Sequence, residues 1–140
     1  MKYRSFSLLI IVLLATGCSG KVPLGGTVTF SDDGSPLTQG VVYFQSETLV
    51  AQGAIKPDGT YRVGTDKLTD GLPYGTYGVF IGGAELSELV PHPGGADGQG
   101  MRQIITPLIA PKYADIHTSG LSFVVDGKTR SWDIQVDRAR

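Results

Sequence analysis

Short segments of alternating apolar and polar residues recur along this chain, separated by turn-forming clusters. Val28 and Phe30 alternate with Thr27 and Thr29, and this period of two is typical of a β-strand with one buried face. Counts of 20 Gly and 8 Pro are high for 140 residues and predict many turns and few long helices. Six or seven short strands with almost no helix predict an all-β fold, an antiparallel β-sandwich.

Individual strands and turns can be placed within this pattern. The stretch Val41–Phe44 is apolar on both faces and predicts a central strand, and Lys56–Gly59 predicts a tight turn. Asp126–Thr129 predicts a hairpin turn that joins strands over 121–125 and 132–136. The aromatic residues expected to face the core are Tyr61, Tyr77 and Trp132.

The pattern fails between residues 82 and 120. A connection of this length is uncommon in a compact domain and is often functional or disordered. Ala84–Val90 favours a turn of helix, and Met101–Ile109 favours an edge strand, although Pro107 limits how well that strand can pair.

The first residues have the order of a secretory signal peptide. Lys2 and Arg4 give a positive start, Phe6–Ala15 is almost entirely apolar, and small residues follow. The apolar run is too short to span a bilayer, which takes about 20 residues. We therefore predict a signal peptide over residues 1–17.

The stretch Leu14–Cys18 resembles the lipobox of bacterial lipoproteins, with Ala15 where the motif most often has Leu. The resemblance implies cleavage between Gly17 and Cys18 and attachment of a diacylglycerol to the Cys18 sulfur. Cys18 is the only cysteine, and a lone thiol in an exported protein needs an explanation such as acylation. Residues 18–24 would form the lipidated tether, and Ser19 is compatible with delivery to the outer membrane.

Several motifs of the mature chain, in order, resemble a carboxypeptidase regulatory-like domain. The resemblance implies a transthyretin-like fold over residues 25–140, a seven-stranded Greek-key sandwich, and it carries over no catalytic residues. It rests on the segments Gly26–Phe30, Asp33–Leu37, Gly40–Phe44, Asp58–Tyr61, Leu72–Tyr77, Pro111–Tyr113 and Thr118–Leu121.

Charge and motifs exclude several function classes. Without Lys2 and Arg4, 10 basic residues face 13 acidic ones, a net charge of about −3 that offers no handle for nucleic acid. No nucleophile turn of the Gly-x-Ser-x-Gly type is present, and the spacing of His92 and His117 matches no zinc motif. Asp32-Asp33-Gly34 and Asp58-Gly59 are interpreted as turns rather than calcium loops. We predict no catalytic residue, no metal and no cofactor.

The sequence thus predicts a non-catalytic envelope lipoprotein whose β-sandwich acts as a binding or structural module. Its expected partners are the membrane, through the lipid anchor, and an envelope protein or a glycan. Tyr74 and Tyr113, both in predicted loops, are the candidates for an exposed aromatic contact. One alternative is a small hydrolase or metal-dependent enzyme that uses His92 and His117, and another is a spacer that binds no ligand.

Overall fold

The computed structural model describes residues 20–94 and 100–140, and this part of the chain is all-β. The predicted signal peptide, with Gly17 and Cys18, lies outside the described residues. One 3₁₀ helix, η1, covers Pro111–Ala114. The strands are β1 (Lys21–Val22), β2 (Gly25–Phe30), β3 (Val41–Gln45), β4 (Val50–Ala54), β5 (Thr60–Arg62), β6 (Leu72–Pro73), β7 (Gly75–Gly82), β8 (Glu85–His92), β9 (Gly100–Pro107), β10 (Leu121–Val125) and β11 (Ile134–Val136).

Four strands form one antiparallel sheet in the order β10, β7, β3, β4. In β3, Val42 pairs with Gly53 of β4 on one side and with Ile81 of β7 on the other. The prediction that Val41–Phe44 is a central strand is confirmed.

Three further strands form a second sheet in the order β11, β2, β5. β5 is antiparallel to β2, with Gly26 opposite Tyr61. β11 is parallel to β2, with Ile134 opposite Val28. The sequence prediction had every strand antiparallel, and this pair is the exception.

Side chains from the two sheets share one apolar core. Phe44 of β3 meets Phe123 of β10 and Tyr61 of β5 at ring-centroid distances of 6.4 Å, and Trp132 at 6.0 Å. Tyr61 and Tyr77 are buried, and Trp132 packs against the core, as the alternation predicted. The largest fully buried side chains also include Leu37, Leu72, Ile81 and Ile134.

The fold begins before Gly25. β1 pairs Lys21 with Pro73 of β6 and Val22 with Leu72. The side chains of Val22 and Leu24, which the sequence analysis assigned to a tether, are buried in the core. Of the described residues before Gly25, only Gly20 precedes the first strand.

The predicted hairpin of residues 121–125 and 132–136 is wrong. Asp126 does make a turn, since its carboxylate accepts from the N–H groups of Lys128 and Thr129. The chain then crosses between sheets, so that β10 pairs with β7 and β11 pairs with β2. The apolar residues alternate because both strands face the same core: the rings of Phe123 and Trp132 stack with centroids 5.0 Å apart.

The predicted turn of helix over Ala84–Val90 is also wrong. Residues Glu85–His92 form β8, which pairs with β9 through eight successive residue pairs, from Glu85↔Pro107 to His92↔Gly100. Met101–Pro107 is therefore a strand, as expected, but it pairs with β8 and not with the sandwich. We call β8 and β9 together the arm.

Candidate functional site

The two loop tyrosines predicted to be exposed differ in burial. Tyr74 is 63% exposed and lies between β6 and β7, against Gly127 of the Asp126 turn. Tyr113 is only 6% exposed, so the prediction that it offers a surface contact is wrong. η1 turns its ring into the core, and its hydroxyl donates to Asp137 at 3.1 Å.

The two histidines lie on different elements. His92 is exposed near the far end of β8, seven residues and about 24 Å along the strand from Glu85. His117 is exposed in the turn after η1, next to Ile116, whose side chain lies over Gly78 in the middle of β7. The arm is exposed on both faces and pairs with none of the other strands, so no described packing holds His92 beside the turn that carries His117.

The aspartates of the Asp-Gly motifs act as turn residues. The Asp33 carboxylate accepts from the N–H and hydroxyl of Ser35, and Asp58 accepts from the same groups of Thr60. Hydrogen bonds from Ser35 lower the pKa of Asp33 from 3.8 to about 2. Within residues 20–94 and 100–140, no group of three or more His, Cys, Asp or Glu side chains is placed to hold a metal ion.

Charged residues line an open groove of about 600 Å³ beside η1, and most of their charges are paired with one another. The Asp137 carboxylate accepts from Lys112 at 2.8 Å and from Ser31 at 2.7 Å, and these bonds lower its pKa to about 2. Arg138 binds Asp32 at 2.8 Å and Asp33 at 2.9 Å. Arg140 also lines the groove and forms no ion pair with the described residues, so most of the charges in the groove are paired, but not all.

The arm is the main unpartnered feature of the described chain. Every described side chain from Glu85 to Pro107 is exposed, apart from half-buried Val90 and Gly100. Leu89 is 68% exposed, and Ile105 is 53% exposed. An isolated two-stranded ribbon is only marginally stable in water, and adjoining exposed apolar residues mark interaction surfaces.

One edge of the arm has open backbone groups. At its base, the N–H of Leu108 donates to the carbonyl of Ala84 at 2.9 Å, which continues the ladder of β8 and β9. Hydrogen-bonded and non-hydrogen-bonded pairs alternate in an antiparallel ladder, so the backbone groups of Met101, Gln103 and Ile105 point outward from β9. The four-stranded and three-stranded sheets do not extend to this edge.

The opposite edge, that of β8, is less open. The same alternation points the carbonyl of Glu85 outward, and it accepts from the side-chain amide of Gln39. Pro91 has no N–H to offer at the far end. Ser87 and Leu89 still point their backbone groups outward from β8, and Pro107 has no N–H on the β9 side. β9 is therefore the more open of the two edges, because Met101, Gln103 and Ile105 are uncovered.

The two faces of the arm differ in charge. One carries the pairs Leu86↔Thr106, Glu88↔Ile104 and Val90↔Arg102. The other carries Glu85↔Pro107 at the base, followed by the pairs Ser87↔Ile105, Leu89↔Gln103 and Pro91↔Met101, which have no charged side chain. A strand added to β9 would extend both faces.

Sequence reasoning missed the arm because its apolar residues are irregularly spaced. Leu86, Leu89 and Val90 have helical spacing, and Pro91 and Pro107 argue against a paired strand. The usable signal was the pair of apolar runs on either side of a Gly- and Pro-rich segment, which is the pattern of a hairpin.

Comparison with protein families, with curated proteins and with solved structures found no match to this chain. In the part of the chain that the structure describes, no helix has the length and apolar character needed to cross a membrane.

Proposed function

We propose that this protein is a bacterial envelope lipoprotein, anchored in a membrane through acylated Cys18, whose β domain binds a partner without catalysing a reaction. The signal-like start and the lipobox-like stretch Leu14–Cys18 support the anchor. The outer membrane is the proposed location, on the basis of Ser19. No catalytic residue, cofactor or nucleic-acid partner is part of the proposal.

We also propose a transthyretin-like sandwich for the folded domain. Seven strands divide into sheets of four and three around one core, which supports this assignment. β1 and β6 and the arm are additions to those seven strands. On this view the arm is an insertion that the carboxypeptidase regulatory-like domain does not need for folding.

The open edge of β9 is the observation that carries the binding role. Three outward residues, Met101, Gln103 and Ile105, offer backbone donors and acceptors beside exposed apolar side chains. Strand addition uses main-chain hydrogen bonds for affinity and alternate side chains for specificity. A glycan would need aromatic side chains for stacking, and Glu85–His92 and Gly100–Pro107 contain no Phe, Tyr or Trp. The proposed partner is thus an extended segment of another envelope protein.

A photo-crosslinking residue in place of Met101 tests this role in cells. We expect one envelope protein to be crosslinked, through a peptide that mass spectrometry can identify. Gln103→Pro removes the outward N–H next along the edge and should lower the yield of this adduct at least about tenfold. The matched control Gln103→Thr keeps the N–H and strand propensity and should retain the adduct.

Two outcomes would contradict the proposal. One is an adduct of equal yield in Gln103→Pro and Gln103→Thr, because binding would then not depend on the β9 edge. The other is an adduct containing only a second copy of this chain, which would make the edge a site of self-association.

The anchor has a separate test. Cells fed an alkyne-tagged fatty acid should label the wild-type protein and not Cys18→Ser. The control Ser19→Ala leaves the thiol in place and should still be labelled. A Cys18→Ser protein that stayed in the membrane fraction after a carbonate wash would show that something other than the thioether-linked lipid holds it.

A further inference from the structure

The described chain begins beside an exposed aromatic side chain. β1 pairs Lys21 with Pro73, so Gly20 lies level with Tyr74, the next residue along. Tyr74 is 63% exposed and rests on Gly127. Tyr side chains have an apolar ring and a polar hydroxyl and are enriched where membranes meet water.

A second exposed apolar side chain belongs to a loop that is bonded to the beginning of β1. The ammonium of Lys21 binds Asp66 and Asp70 at 2.7 Å each, and these carboxylates belong to the loop that carries Leu68. Asp70 also accepts from the N–H of Thr65 at 2.6 Å, so the loop is fixed to the beginning of β1. Leu68 is 89% exposed and contributes nothing to the core.

The segment between the lipid-bearing cysteine and the fold is very short. Only Ser19 and Gly20 separate Cys18 from Lys21. Three extended Cα–Cα steps span at most about 11 Å. Acyl chains on the Cys18 sulfur would therefore hold the end of the domain around Lys21 against the lipid headgroups.

We propose that Tyr74 and Leu68 form a second contact of this protein with the bilayer, beside the lipid anchor. The inference rests on the proposed anchor, because the acylated cysteine brings these side chains to the lipid surface. Tyr74 would lie among the headgroups, and Leu68 would insert its side chain between them. Lys67, adjacent to Leu68 and exposed, can extend its ammonium toward lipid phosphates.

The arm lies at the opposite end of the domain. β7 starts at Gly75, next to Tyr74, and ends at Gly82, about 24 Å away. The arm begins directly after that end, at Glu85. With Tyr74 and Leu68 on the bilayer, the base of the arm lies at the end of β7 that is farther from the lipid.

A depth measurement on the lipidated full-length product tests the contact. Acylated Cys18 does not react with maleimides, so Lys67→Cys and Leu89→Cys each accept one fluorophore. In phosphatidylethanolamine–phosphatidylglycerol liposomes that contain brominated lipid, the label at 67 should be quenched at least about threefold more than the label at 89. Leu68→Ser with Tyr74→Ser should reduce quenching at 67 at least about twofold, although the anchor keeps this end near the lipid, and the arm control Leu86→Ser should leave it unchanged.

The outcomes separate this inference from the proposed anchor. Liposomes that float with bound protein but leave the label at 67 unquenched would overturn the contact and leave the anchor standing. Protein that does not float at all would overturn the anchor itself. Leu68 lies in an exposed loop, so Leu68→Ser alone should have the melting temperature of the wild type. If the double variant does not fold, the quenching of the label at 67 in Leu68→Ser alone tests the contact.

Discussion

One hydrogen bond joins Tyr61 of β5 to the segment that precedes β11. The buried hydroxyl of Tyr61 donates to the carbonyl of Trp132 at 2.7 Å, and burial raises the pKa of the phenol well above its usual value of 10. Tyr61→Phe leaves that carbonyl without its partner, so we expect the free energy of unfolding to fall by about 1–2 kcal/mol. Urea denaturation measures this change.

The matched control for this substitution is Tyr43→Phe. The ring of Tyr43 stacks on Phe80 with centroids 4.8 Å apart, and its hydroxyl makes no hydrogen bond within the described residues. The free energy of unfolding of this control should lie within about 0.5 kcal/mol of the wild-type value, since substitutions that break no contact rarely change it more. If Tyr61→Phe and Tyr43→Phe lowered the free energy of unfolding equally, the hydrogen bond to Trp132 would not stabilise the fold.

The acidity of two aspartates makes stability depend on pH. Hydrogen bonds from Ser35 and from Lys112 lower the pKa of Asp33 and of Asp137 from 3.8 to about 2. A carboxyl group whose pKa is lower in the folded than in the unfolded protein stabilises the fold at pH values above its unfolded pKa. This stabilisation is lost as the pH falls toward the folded pKa. We expect the melting temperature, followed by circular dichroism, to drop between about pH 4 and pH 2.

A charge deletion locates the source of this pH dependence. Lys112→Met removes the main cause of the shift at Asp137, so its melting temperature should fall less steeply between pH 4 and pH 2. Lys128→Met is the control, because the Lys128 side chain forms no ion pair among the described residues. If the melting temperature of Lys112→Met fell with pH as steeply as that of the wild type, other carboxylates would be the cause of the pH dependence.

Single residues show what the sequence could and could not predict. Alternation placed Tyr61 and Tyr77 correctly in the core, because burial on one face of a strand repeats every second residue. Tyr113 lies outside any strand, and a 3₁₀ turn set by Pro111 decides its direction. Periodicity carries no information about such a residue, and its burial was therefore missed.

Among the elements, β2 and the segment before β11 approach unusually closely. A Cβ at Gly26 would lie 1.9 Å from the carbonyl oxygen of Trp132. Gly26→Ala must therefore separate the backbones, and we expect a loss of about 2 kcal/mol or more in the free energy of unfolding. Chemical denaturation of Gly26→Ala beside Gly20→Ala, whose Cβ meets nothing within 4 Å, provides the comparison. Similar stability of both variants would contradict the close approach.

Pairing between elements was the least predictable level. The alternation in 121–125 and 132–136 determines which residues face the core, but it does not determine which strand lies alongside. The connection 126–133 is long enough to cross from one sheet to the other, and β11 then aligns parallel to β2. A hairpin prediction assumed that neighbouring strands in sequence also pair, which holds for many connections and fails here.

The arm should be dispensable for folding. None of its described side chains is buried, and Ala84 and Leu108 are already joined by a hydrogen bond at its base. Replacing residues 85–107 by Asn-Gly, a favoured two-residue hairpin turn, should leave the melting temperature within about 5 °C of the wild type. Circular dichroism checks both the transition and the strand content. A deletion variant that did not fold would show that the arm contributes to the core.

At the scale of the whole molecule, the two ends of the domain have different surfaces. One end carries β1, β6, Tyr74 and Leu68 beside the first described residue, Gly20, and the other carries the base of the arm. The lipobox-like stretch predicted where a membrane would attach. The position of the arm opposite that point depends on how β7 runs through the sheet, which no local pattern reveals.

The overall dimensions give a test of this arrangement in solution. A compact chain of residues 20–140 would have a radius of gyration of about 14 Å. An arm that is exposed on both faces and extends about 24 Å along its strands should raise this value to about 16 Å or more. Small-angle X-ray scattering of residues 20–140, extrapolated to zero concentration, measures it.

The arm deletion supplies the internal reference for the scattering measurement. Its radius of gyration should fall to about 13 Å, the value for a compact chain of its length. Leu89→Ser with Ile105→Ser changes the surface of the arm and not its length, so this variant should scatter like the wild type. If the radius of gyration of the intact domain were about 14 Å, the arm would lie folded against the sandwich. The β9 edge would then not be free to accept a partner strand.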